Sequence, residues 1–169
     1  MNTKAQVWTV DFIAGFMLFI IVLLVGLSII FRAAPASADQ GLSRDAEHLS
    51  TVLVSTGTPT NWTSTNVLVP GLLTSTSISR IDTRKLQDFS NISYSRTKTL
   101  LGIRADYVFF FKNTTSVINI TQCNYGYPVA TRADCTPILN TSDYKSLIKI
   151  ERVVVYNSTP VMLVIYAWD

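Results

Sequence analysis

Residues 147–168 read LIKIERVVVYNSTPVMLVIYAW, and this stretch decides the fold class. Its two halves are rich in β-branched and aromatic side chains, and the turn-forming sequence Asn157-Ser158-Thr159-Pro160 separates them, so we predict an antiparallel hairpin. Every residue of the second half is apolar or aromatic, which is typical of a strand covered on both faces. We expect a long helix on one face and the rest of the head or a neighbouring subunit on the other.

Two further strands are predicted upstream of the hairpin. Residues 106–112 are rich in Tyr and Phe, and residues 117–121 alternate so that Asn119 faces away from the isoleucines beside it. Between residues 55 and 79, 12 of 25 residues are Ser or Thr, which predicts a loop. The sequence thus favours a small antiparallel β-rich head.

Two short helices are predicted between that loop and the first of these strands. One covers residues 82–89, with Asp82 or Thr83 as its N-cap, and the other covers residues 94–102 and ends at Gly102.

The N-terminal region contains a long apolar run. Residues 12–31 are twenty residues without a charge, and Ser28 is their only polar side chain. A helix of that length, at about 1.5 Å per residue, crosses a bilayer core of roughly 30 Å. We therefore predict a membrane anchor at this end of the chain.

An apolar stripe continues beyond this run. Leu42, Ala46, Leu49 and Leu53 recur at steps of four and three residues, which places them on one helix face. The pattern predicts a single helix over about residues 7–55. Because no bilayer needs that length, we expect its second half to contact protein.

A secretory leader is an alternative for the same region. Ala36-Ser37-Ala38 matches a small-x-small cleavage site, and cutting there would release a soluble glycoprotein. The apolar run is longer than the roughly 7–15 residues of an ordinary leader, and Arg32 interrupts the approach to the site. Both features favour a retained segment.

The asparagines indicate an extracellular surface. Of the nine asparagines, six begin an Asn-x-Ser/Thr sequence, whereas the content of Ser and Thr would place about two there by chance. These are candidate acceptors for N-linked sugars. They are Asn61, Asn91, Asn113, Asn119, Asn140 and Asn157.

The two cysteines fit the same compartment. Cys123 and Cys135 flank a turn-rich segment, and in an oxidising exterior such a pair most simply forms a disulfide, worth roughly 3 kcal/mol. A metal site is the alternative, but the single histidine, His48, is distant in sequence and is expected on a solvated helix surface.

Charge and composition predict no enzyme. The net charge is only +3, and the basic residues of segment 80–104 are expected on a solvated face rather than at a nucleic-acid interface. With one histidine and no glycine-rich phosphate loop, we expect no catalytic, metal or cofactor site. Asp82 and Asp88, the nearest carboxylate pair, are expected on a helix surface.

Asp11 is the one acid beside the apolar run. A carboxylate there either lies at the headgroup boundary or pairs with an amine of a neighbouring copy when helices pack together.

Residues 4–31, KAQVWTVDFIAGFMLFIIVLLVGLSIIF, resemble the class III signal sequence of archaeal type IV pilins and related filament proteins. The resemblance implies a leader of residues 1–5, cut between Ala5 and Gln6, with Asp11 as the acid near the new N-terminus. It also implies a pilin-like α+β fold, with a long N-terminal apolar helix over residues 6–55 and a glycosylated head over residues 56–169.

The function implied is that of a structural subunit, held in the membrane before assembly and then polymerised with its copies into an extracellular filament for surface adhesion. By resemblance, its partners are a prepilin peptidase, an assembly ATPase and a membrane platform protein. The candidate assembly residues are Asp11, Phe12, Phe16, Phe19, Leu23, Leu42, Leu49 and Leu53. A membrane-anchored surface glycoprotein that acts alone, as a receptor or an adhesin, is the main alternative.

Overall fold

The computed structural model describes residues 3–33, 37–139 and 144–169. It divides the chain into two compact units, Met1–Ser37 and Ala38–Asp169. Among the described residues, the first unit contains helix α1, Thr3–Ala33. Helix α2, Ser37–Leu53, starts at the boundary and belongs to the second unit.

In the described part of the second unit, α2 is followed by two short helices and a seven-stranded sheet. The helices are α3 (Thr83–Ser90) and α4 (Tyr94–Leu101). The strands are β1 (Leu73–Ser75), β2 (Arg80–Ile81), β3 (Asp106–Lys112), β4 (Val117–Ile118), β5 (Tyr125–Gly126), β6 (Leu147–Tyr156) and β7 (Thr159–Trp168).

The predicted hairpin is confirmed, and it forms the centre of the sheet. The strand order is β1-β2-β6-β7-β3-β4, and β5 also pairs with β3. The turn has two residues, Asn157 and Ser158, with φ of 50° and 64°. Left-handed residues at both positions of a two-residue turn match the twist of the flanking strands. Thr159 and Pro160 already belong to β7, pairing with Tyr156 and Val155.

The helix-covered face of the sheet carries the core. Tyr107, Phe109 and Phe111 alternate onto this face from β3, and the ring of Tyr125 stacks on Phe109 with centroids 4.9 Å apart. Opposite Phe109 in the sheet lies Ile165 of β7. Leucines from α2, α3 and α4 complete the same cluster, so the three helices share one apolar layer.

Both predicted short helices are confirmed. Asp82 is the N-cap of α3, where its carboxylate accepts hydrogen bonds from the amides of Arg84 and Lys85. Gly102 ends α4 with φ of 66°, the left-handed conformation that glycine adopts without steric cost. The predicted strand at residues 117–121 is shorter, since β4 covers only Val117–Ile118.

The serine- and threonine-rich segment 55–79 is mostly loop, but several of its side chains are buried in the core. The indole of Trp62 is fully buried and donates to the carbonyl oxygen of Gly71 at 2.8 Å. Leu72 and Leu73 are also buried, whereas Leu68 is 67% exposed. Strand β1 begins at Leu73, so this segment also supplies one edge of the sheet.

The predicted fold class is wrong in two respects. Within the described residues, no helix has both the length and the apolar character that crossing a membrane requires. The sheet is mixed rather than antiparallel, because β2 runs parallel to β6. That pairing covers the outer edge of the hairpin: the amide of Val155 donates to the carbonyl of Ser79 at 2.9 Å, leaving β6 no open edge there.

Candidate assembly and glycosylation surfaces

The first candidate surface is the middle of α1. Four of the predicted assembly residues lie there, and their side chains are exposed, from 74% for Phe12 to 41% for Leu23, with Phe16 and Phe19 between them. The rings of Phe12 and Phe16 stack with centroids 6.5 Å apart. Further exposed apolar side chains are Ile13, Met17, Leu18, Ile21, Val22, Leu24, Val25 and Leu27.

The other predicted assembly leucines lie in a different environment. Leu42 is 2% exposed, and Leu49 and Leu53 are fully buried against the sheet of their own chain. The prediction that they contact neighbouring subunits needs correction, because a helical spacing identifies an apolar face but not the partner that covers it. The Arg152 guanidinium also donates to the hydroxyl of Ser50 at 3.0 Å, joining α2 to β6.

Three predicted residues fall where side chains are not described. Ala5, Gln6 and Asp11 lie within α1, but the structure describes only the backbone there. The leader cleavage and the pairing of Asp11 therefore stay predictions.

The second candidate surface carries the sequons. Asn61, Asn91, Asn119 and Asn157 are exposed, and Asn113 is half-buried. The predicted parity at Asn119 is confirmed, because Ile118 and Ile120 pack against the core on the other side. Asn140 lies outside the described residues.

Asn113 has a well-defined side-chain geometry. It begins the turn between β3 and β4, and its Oδ1 accepts hydrogen bonds from the amides of Thr115 at 2.9 Å and Ser116 at 2.7 Å. The Thr115 hydroxyl also donates to this oxygen, at 3.1 Å. Because both backbone donors require an acceptor, the oxygen must face the turn and Nδ2 must face away from it.

The predicted disulfide is confirmed. Cys123 and Cys135 are bonded, with their Cα atoms 5.0 Å apart. The bridge closes the segment that follows β4 and contains β5. Tyr127, in the same segment, packs edge-on against Trp168 of β7, at 5.6 Å between ring centroids. The bridged segment is therefore packed onto the sheet.

Two of the basic residues expected on a solvated face have internal partners instead. The Lys85 side chain is buried, and its ammonium donates to the carbonyl oxygens of Thr56 at 2.7 Å and Leu73 at 2.8 Å. Burial lowers the pKa of this amine. Lys98 forms an ion pair with Asp106 at 2.7 Å. Segment 80–104 is therefore no continuous basic surface.

Asp106 is the centre of a polar cluster that the sequence analysis did not identify. The Tyr94 hydroxyl donates to its carboxylate at 2.6 Å, beside the bond from Lys98. Partial burial alone would raise the pKa of Asp106. The hydrogen bonds from Lys98 and Tyr94 together lower it by more, so the pKa lies below its usual value. The pKa of Tyr94 is raised, mainly by burial and to a smaller extent by its hydrogen bond to Asp106. This cluster fastens α4 to β3.

His48 is exposed on α2, as expected. In the part of the chain that the structure describes, no three His, Cys, Asp or Glu side chains lie together in a way that would hold a metal ion. Comparisons with protein-family models, with curated proteins and with solved structures found no match to this chain.

Proposed function

We propose that this protein is a structural subunit of an extracellular filament and assembles with its copies through the exposed side chains of α1. The observation that carries the proposal is the run of exposed apolar side chains from Phe12 to Leu27. Contiguous apolar surface of this kind marks an interaction site, because hydrating it is unfavourable. Copies of the same helix offer a matching apolar partner.

The second unit forms the outer wall of this filament. Its exposed sequons would carry N-linked sugars, and the disulfide supports an oxidising compartment such as the cell exterior. The second unit also buries its own α2 against its own sheet, so it needs no neighbour to complete its core.

The pilin-like N-terminal sequence supports the same proposal and adds partners to it. In the proposed route, a prepilin peptidase cuts between Ala5 and Gln6, and an assembly ATPase and a membrane platform protein add subunits to the growing filament. Adhesion to surfaces is the proposed use. Repetition of one head-to-tail contact that does not close gives an open helical polymer.

Electron microscopy tests this proposal directly. Cell surfaces of the producing organism are sheared, and the detached material is examined by negative stain and by mass spectrometry of the N-terminus. We expect filaments containing this chain with Gln6 as the first residue. Recovery of the chain only as a dispersed monomer would contradict the proposal and favour a surface glycoprotein that acts alone.

A further inference from the structure

A pocket lies beside Asn113, at the end of the sheet that carries the turn between β6 and β7. It has a volume of about 360 Å³, and Val153, Pro160 and Met162 supply apolar parts of its lining. Val153 pairs with Met162 across β6 and β7, and Lys112 pairs with Met162 from the other side. Val153 is 64% exposed, so apolar surface is open to solvent here.

Two of the three residues of a sequon line this pocket. Asn113 and Thr114 belong to its lining, and Asn113 begins the sequence Asn-Thr-Thr. The turn binds Oδ1 through Thr115 and Ser116, and Nδ2 makes no hydrogen bond to any residue that the structure describes. A substituent on Nδ2 would therefore start at the pocket edge without breaking a contact of the turn.

We infer that the pocket binds the sugar attached to Asn113, so that the first residues of this N-linked glycan lie on Val153 and Met162. The inference rests on the proposed function, because it requires an exported chain that meets a glycosyl transferase. In the attachment step, Nδ2 forms a bond to the anomeric carbon of a sugar phosphate or pyrophosphate donor. The bond between that carbon and the phosphate breaks, and Nδ2 loses one proton.

The chemistry of the pocket suits a sugar ring. One face of a pyranose presents C–H groups that can cover apolar side chains, while its hydroxyls stay in contact with water and with polar neighbours. The volume falls within the range of small-molecule sites, about 300–1,000 Å³. Lys112 lines the pocket and is held by Glu151 at 3.0 Å, which places a hydrogen-bond donor at its border.

The test uses the full chain from a host that attaches N-linked sugars, with ¹³C-labelled methionine methyl groups. The chain has 3 methionines, and the Met162 signal is assigned by its loss in Met162→Leu. Glycopeptide mass spectrometry measures occupancy at Asn113. Asn113→Asp keeps the oxygen that the turn binds but removes the attachment atom, and Val153→Glu alters the pocket but keeps the sequon.

We expect Asn113 to be occupied and the Met162 methyl to show cross-peaks to sugar protons. Asn113→Asp should lose both, and Val153→Glu should lose the cross-peaks at unchanged occupancy. An occupied Asn113 without cross-peaks would overturn the inference and leave a glycosylated surface in place. A bare Asn113 beside occupied Asn61 or Asn157 would also overturn it without touching the proposed function, whereas bare sequons throughout would overturn the sugar-bearing wall as well.

Discussion

The carboxylate of Asp45 accepts a hydrogen bond from the backbone amide of Arg104 at 2.8 Å, and a second from Ala105 at 3.2 Å. Asp45 lies on α2, and both amides precede β3 directly. This contact joins residues far apart in sequence. It fixes α2 to the start of β3, beside the buried leucines that also hold α2 in the second unit.

Replacing Asp45 should therefore loosen the second unit. Asp45→Ala leaves two backbone amides without an acceptor, one of them partly buried, and we expect the free energy of unfolding to fall by about 1–2 kcal/mol. Glu47→Ala is the matched control, because Glu47 is exposed on the same helix, and its effect should stay within about 0.5 kcal/mol. Urea unfolding monitored by tryptophan fluorescence measures both. Equal effects would show that the Asp45 contact contributes nothing.

The reassignment of the α2 leucines makes a second prediction. Leu49 is fully buried, so Leu49→Ala should leave a cavity and lower the free energy of unfolding by about 2–5 kcal/mol. Leu68→Ala removes the same atoms from a side chain that is 67% exposed, and its effect should be below about 0.5 kcal/mol. The same unfolding curves compare them. A Leu49→Ala variant as stable as the parent would return this leucine to the candidates for contacts between subunits.

Asp106 predicts a loss of stability in acid. Its pKa is lower in the folded chain than the usual 3.8, so the unfolded chain takes up the proton first as the pH falls. The stabilisation is therefore complete above pH 3.8 and is lost as the pH falls through the folded-state pKa. Unfolding free energies measured at several pH values should decrease over this range. Asp106→Asn should be less stable at neutral pH and show a shallower decrease; an unchanged slope would assign the acid sensitivity to other carboxylates.

Local signals in the sequence were sufficient for the elements closest to them. The hairpin follows from two runs of β-branched and aromatic residues on either side of a turn, and the α3 and α4 caps follow from Asp82 and Gly102, which act within one helical turn. The Cys123–Cys135 bond was predictable because the chain has no other cysteine.

Relationships between distant segments were not predictable in the same way. Strand β2 has only two residues, and its parallel pairing with β6 joins positions 80 and 155, for which no short-range pattern exists. The stripe of Leu42, Leu49 and Leu53 was correctly predicted to be apolar. That the sheet of the same chain covers it was not predicted, because the periodicity of one helix does not identify what covers it. The pocket beside Asn113 combines three strands and has no signal in any one of them.

The central claim is that side chains of α1 bind copies of the chain, and Leu23→Lys tests it most directly. A lysine buried among apolar side chains without a partner costs several kcal/mol, which should raise the concentration needed for assembly at least about a hundredfold. Leu68→Lys places the same charge on an exposed site of the second unit and is the control. Chains that begin at Gln6, as in the proposed route, are released from detergent by dilution, and polymer is measured by sedimentation and electron microscopy. We expect filaments from the parent and Leu68→Lys but none from Leu23→Lys at the same concentration. Filaments of normal length and yield from Leu23→Lys would contradict the account.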